Sequence, residues 1–229
     1  NTNDLVSWNW KANGSGSANT DGATASTVSA NTTSGFSIVK YTGAGATTYG
    51  HGLGATPKVI IIKKLNATDN WFLYHHSIIT ASGTNKYFMT LNSTNALETN
   101  GSATTFTSVS DTTFGVGTDD IISESGDSFI AYCFAEVAGY SKFGSYKGNG
   151  NADGTFVYTG FKPSLIIRKK TDGAADWRID DNKRDGYNTV DFTLFPNNTN
   201  ASTQSAGYAY DLLSNGFKAR GNSGNQNTS

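Results

Sequence analysis

Apolar residues in this chain recur with a period of two, and no long run follows the 3.6 period of a helix. The densest apolar stretch is PKVIIIKK (57–64), which returns as PSLIIRKK (163–170), 163 − 57 = 106 residues on. Trp71 and Trp177 keep the same spacing. FSIVKY (36–41), WFLYHH (71–76), KYFMTL (86–91), TFTSVS (105–110), TTFGV (112–116) and DSFIAYCFAEV (127–137) read as further strands of the first copy. GYSKFGSYKG (139–148), TFVYTGFKP (155–163), DWRIDD (176–181), DFTLFPNNTNA (191–201) and SNGFKARG (214–221) repeat that order in the second. Asn92–Ser102 reads as a polar loop with a helical turn near 95–99. The pattern predicts an all-β protein of two tandem antiparallel β-sandwich-like units, 35–138 and 139–229. Its expected core residues are Val59, Ile61, Trp71, Phe129, Tyr132, Phe134, Leu165, Ile167 and Trp177.

The ends fall out of step with these units. Residues 1–12 read as one strand with Leu5, Val6, Trp8 and Trp10 as its large side chains, and LVSWNWKA (5–12) aligns with FIAYCFAE (129–136). Residues 13–34, almost wholly Gly, Ser, Ala, Thr, Asn and Asp, read as a linker or surface excursion. The counterpart of FIAYCF in the second copy would fall beyond Ser229, so the second unit is expected to lack its last strand. Leu5, Val6, Trp8 and Trp10 are therefore candidates for a closing or exchanged strand, because an open sheet edge is a template for pairing. The plain alternative is that 1–12 belongs to a preceding domain.

Composition narrows the partners. Charged residues are 15% and the net charge is −1, so nothing offers the basic surface that nucleic acid requires. The polar share is carried by Asn, Ser, Thr and Gly, as on many extracellular and virion β-proteins, although drift in composition gives the same picture. No run approaches the ~18 apolar residues of a membrane span, and no secretory signal is visible. The chain begins with Asn1, which suggests a processed piece of something longer. Cys133 is the single cysteine; lying in FIAYCF, it reads as a small buried side chain, not a thiol poised for attack.

The side chains able to do chemistry do not converge in sequence. His75 and His76 are adjacent in a predicted strand and would point to opposite faces, and His51 lies in the turn GHGLG. The second copy has Asp180 and Asp181 near the level of the His pair, which speaks against a shared zinc site. Asp119–Asp120 and Asp180–Asp181 lack the spacing that would single out a glycosidase pair. NADG (151–154) falls short of a calcium-loop pattern. GSGSA (14–18) has no strand–turn–helix context for a nucleophile, and TGAGATTYG (42–50) is no phosphate loop. No cofactor motif is present. Trp71 and Trp177 could stack on sugar rings, but a repeated position beside a core strand favours packing.

Taken together, GFSIVKYTG, GHGLGATPKVIIIKK, NWFLYH, GDSFIAYCFAEVAGYSKFGSYKGNG, FVYTGFKPSLIIRKK and DLLSNGFKARG resemble the repeated β-domain of unknown function found in large virion proteins of marine bacteriophages. The likeness runs from about Leu5 to Phe217. It implies a non-enzymatic structural or host-adhesion protein of a tail fibre or surface appendage, located on the virion outside the cell. The implied partners are further copies of the chain (a trimer is the expectation), other virion proteins and a host-surface glycan. A carbohydrate-binding module is the alternative, and a polysaccharide depolymerase would need a carboxylate pair that the sequence does not offer.

Overall fold

The computed structural model describes residues 6–78, 87–101 and 103–227. In the first unit the strands are β1 (Ser17–Asn19), β2 (Ser26–Asn31), β3 (Phe36–Thr42), β4 (Thr47–Gly50), β5 (Pro57–Lys64), β6 (Trp71–His75), β7 (Tyr87–Thr90), β8 (Glu98–Thr99), β9 (Phe106–Val109) and β10 (Thr113–Val116). A single helical turn, α1 (Asp120–Ser123), precedes β11 (Ser128–Ala135). The second unit holds β12 (Phe156–Tyr158), β13 (Leu165–Arg168), β14 (Arg178–Asp181), β15 (Phe192–Leu194), β16 (Thr203–Gln204), β17 (Tyr210–Leu213) and β18 (Gly216–Ala219).

All pairings among these strands are antiparallel. The first unit has an eight-stranded sheet in the order β1-β2-β3-β11-β5-β6-β7-β8, covered by the three-stranded sheet β4-β10-β9. The β-branched run Val59–Ile62 makes β5 a strand with apolar side chains on both faces. Ile60 and Ile62 are fully buried between the sheets with Val39, Tyr41, Tyr49, Phe72, Tyr74, Phe114, Phe129 and Cys133. Each such aliphatic side chain contributes about 1.5–3 kcal/mol. The alternate residues Val59 and Ile61 point to the outer face, as do Leu73 on β6 and Tyr132 and Phe134 on β11.

The second unit repeats this plan with two smaller sheets, β13-β14-β15-β16 and β12-β18-β17. Hydrogen bonds at matching places confirm the repeat. Trp71 N donates to Asn92 Oδ1 and Trp177 N to Asn197 Oδ1, each at 2.9 Å. Gly117 N bonds Thr105 O, and Gly221 N bonds Ala209 O. A Cβ on Gly117 would lie 2.0 Å from Thr104 O, and one on Gly221 2.1 Å from Gly207 O, so a close backbone approach demands glycine at both places. Tyr41 meets Phe114 edge-on at 5.9 Å, and Tyr146 meets Phe217 edge-on at 6.1 Å.

Three expectations about the chain's course need correction. Residues 13–34 are not a linker: they carry β1 and β2, and β2 pairs along β3. Small polar side chains still leave a full set of backbone groups for a ladder, and Val28 anchors the strand in the core. Leu5 lies outside the described residues, while Val6, Trp8 and Trp10 form no strand, and Trp8 and Trp10 lie against the sheet by their side chains. Asn92–Ser102 contains β8 at Glu98–Thr99 in place of a helical turn, and β8 pairs with β7.

The core list divides by burial. Val59, Phe129 and Trp177 are buried; Ile61, Trp71, Tyr132, Phe134 and Leu165 are half-buried on outer faces. Ile167 is 46% exposed, because period two turns it away from the Ile166 side of β13.

Candidate functional site

The outer face of the first sheet is aromatic. Phe36 and Ile38 from β3, Tyr132 and Phe134 from β11, Ile61 from β5 and Trp71 from β6 line it. Their neighbouring rings are in contact: Phe36–Phe134 at 5.0 Å, Trp71–Tyr132 at 6.2 Å and Phe36–Tyr132 at 6.5 Å. Trp8, Asn9 and Trp10 lie over these residues and leave a groove of about 320 Å³. Trp10 meets Phe134 edge-on at 5.9 Å, yet it stays 42% exposed and Val6 47%. Among the described residues no backbone hydrogen bond ties 6–10 to the rest of the chain; the anchoring begins at Lys11 O, which accepts from Asn31 Nδ2.

The same face continues into the joint between the units. Trp177 is buried against Val59, Leu73 and Met89, and its indole Nε1 donates to Thr90 O at 2.9 Å. Two backbone bonds reinforce the joint, Ala175 N to Thr94 O and Leu97 N to Thr171 O. The two repeated tryptophans therefore do different work. Trp71 lines the open groove, and Trp177 locks one unit to the other.

The ionisable candidates hold the fold. Asp119 caps α1 through Ile121 N and accepts from Asn100 Nδ2 and Thr105 Oγ1, each at 2.7 Å. Asp181 accepts from Arg184 Nε at 2.8 Å and from Lys183 N, so its carboxyl sits below the usual range despite burial. Asp153 in the NADG loop is ion-paired with Lys218 at 2.5 Å. His51 is buried in its turn, accepting from Leu53 N and facing Ser110 O, and burial lowers its pKa.

The adjacent histidines do not diverge as a regular strand would require. His75 ends β6 and His76 begins a 3-10 turn, so their rings stack at 5.0 Å. Burial, and then the neighbouring His76, lowers the His75 pKa to about 4. Burial pushes the Cys133 thiol up to about 12. No group of three or more His, Cys, Asp or Glu suited to a metal occurs among the described residues.

One polar cluster was not anticipated. In the first unit Ile62, Tyr74 and Phe88 are apolar and buried on the inner face. At the corresponding positions of the second unit stand Arg168, Asp180 and Thr193. Arg168 Nε donates to Asp180 Oδ2 at 3.1 Å, Thr193 Oγ1 donates to Asp180 Oδ1, and the guanidinium lies 4.7 Å from the Tyr210 ring. Arg168 Nη2 is 3.0 Å from Asp180 Oδ2 but poorly directed for a hydrogen bond, and Nη1 has no partner. Arg178, in the place of Phe72, stacks 3.6 Å from the Tyr208 ring and 5.2 Å from Phe195. The exchange of Ile62 for Arg168 between otherwise matching strands was the available signal.

Nothing among the curated proteins or the solved structures matches this chain. A domain family of unknown function, DUF7483, matches residues 1–229, and the chain belongs to that family.

Proposed function

We propose that this member of the DUF7483 family is a non-enzymatic building block of a phage surface appendage, such as a tail fibre or spike. The observation that carries this reading is the joint at Trp177. A buried indole with a directed hydrogen bond, backed by two backbone bonds, fixes two β-units as one stiff piece. A stiff β-module with a nearly neutral surface suits a load-bearing appendage outside the cell. The carboxylates that a hydrolase would need, Asp119, Asp180 and Asp181, are spent on a helix cap and on cation pairs. The likeness of the repeated phrases to marine phage virion proteins supports the same reading, with further copies of the chain and other virion proteins as partners.

Antibody raised against residues 1–229 and applied to purified particles tests the proposal. Labelling of a surface appendage is expected; particles free of the protein would overturn it.

A second reading rests on the groove itself. Trp8, Trp10, Trp71 and Tyr132, with the Asn9 amide, offer the flat aromatic faces and amide donors that a pyranose ring uses. On that reading the module also grips a host-surface glycan. Saturable binding on a glycan array, lost in Trp71→Ala, is the expected sign.

A further inference from the structure

In the first unit β11 lies between β3 and β5 and pairs with both. In the second unit the counterpart of β5 is β13, and among the described residues β13 pairs with β14 alone. The stretch that matches β3, 139–148, contains no strand, only the isolated bridge Val137–Ser141 at its start. Among the described residues no strand takes the place of β11 beside β13; Ile167 is 46% exposed there, and Arg168 Nη1 is buried without a partner among them. Unpaired, apolar and unguarded edges of this kind take up another strand.

We propose that residues 6–12 of one copy fill this place beside β13 of a second copy, joining copies head to tail. LVSWNWKA (5–12) aligns with β11, and among the described residues 6–10 make no backbone hydrogen bond to the rest of the chain. The register follows from the first unit, where β11 sets Phe134, Cys133, Tyr132 and Ala131 opposite Val59, Ile60, Ile61 and Ile62. Transferred, it sets Trp10, Asn9, Trp8 and Ser7 opposite Leu165, Ile166, Ile167 and Arg168. The fit is specific. Trp8 and Trp10 fall on the outer face over exposed Ile167 and half-buried Leu165. Ser7 and Asn9 fall on the inner face, where an acceptor is needed for the orphaned Arg168 Nη1. β11 itself would bring Ala131 and Cys133 there, which suit Ile62 in the first unit but not Arg168. On the inner face Ser7 then stands opposite Arg168 where Ala131 stands opposite Ile62 in the first unit, while Asn9 stands opposite Ile166.

The proposal deepens the assembly reading without depending on where the protein sits, so antibody labelling of particles and the following test fail independently. Full-length chains carrying Trp8→Cys are mixed with chains carrying Ile167→Cys and treated with a short bismaleimide. Ile167 is exposed and Trp8 half-buried, whereas Cys133 is fully buried. A dimer joined through positions 8 and 167 is expected. It should fall at least tenfold when Leu165→Cys replaces Ile167→Cys, or when Asn9→Pro/Trp10→Pro is added to the donor. Adjacent prolines remove an N–H on each side of the strand, so one is lost toward β13 in either orientation. Monomer at the highest soluble concentration overturns the proposal. So does a product that survives the prolines, or displacement by a peptide of residues 129–135 but not by one of residues 6–12.

Discussion

The indole nitrogen of Trp177 donates to the carbonyl of Thr90 at 2.9 Å, and through that bond the second unit is fastened to the outer face of the first sheet. Its partner in the repeat, Trp71, has the same backbone bond to an Asn side chain but lines a groove. Trp177→Phe keeps most of the ring and removes the donor, leaving the Thr90 carbonyl with the longer bond from Ser93 N; a loss of about 1 kcal/mol is expected. Trp177→Ala also empties the contact with Val59, Leu73 and Met89 and should cost about 3–5 kcal/mol. Urea unfolding of the two variants measures both, and the alanine variant should separate the single transition into two.

Arg168 and Asp180 form a buried ion pair where the first unit has Ile62 and Tyr74. Arg168→Ala leaves a buried carboxylate with only Thr193 as its side-chain donor, and a loss of about 3–5 kcal/mol is expected. Returning the whole cluster to the residues of the first unit, Arg168→Ile/Asp180→Tyr/Thr193→Phe, should recover most of that loss. Thermal unfolding of the single and triple variants checks the order.

Stability should fall on mild acidification. The folded-state pKa of His75 is about 4, below the ordinary 6.5, and burial lowers that of His51 too. The unfolded chain therefore binds these protons first as pH drops. The stabilisation is complete above pH 6.5, declines as pH falls toward 4, and changes no further below that. For His75 the loss is about 1–3 kcal/mol. Protonation would also end the bond that His75 Nδ1 accepts from Ser77 N. Denaturant midpoints between pH 7 and 4 report the decline, and His75→Gln should flatten most of it.

Cys133 is fully buried between the sheets, and its thiol is raised to about 12. Thiol reagents should leave the native protein unlabelled and react at the rate of global opening. Rapid labelling of native protein would mean that β11 leaves its place between β3 and β5.

The repeat was legible because PKVIIIKK and PSLIIRKK keep both their order and their spacing to tryptophan, and hydrogen bonds at Asn92 and Asn197 bear that out. The sandwich followed from period two. β1 and β2 were hidden because a ladder is built from backbone groups, and STVSAN shows almost no apolar alternation. The exposure of Ile167 is not legible in the sequence because an edge strand and a central strand carry the same residues; only the neighbours tell them apart. The N-terminal aromatics were seen as a strand in want of a sheet, whereas within one chain they rest on a sheet face. The polar cluster at Arg168 is written in the difference between the two copies, Arg168 for Ile62 and Asp180 for Tyr74, and not in their likeness.

Hydrogen exchange across a concentration series tests the account of assembly most directly. As the full chain is concentrated, amides of 6–12 and of β13 should slow together, while β5 and β11 stay slow throughout. Fast exchange of 6–12 and β13 at every concentration would contradict it.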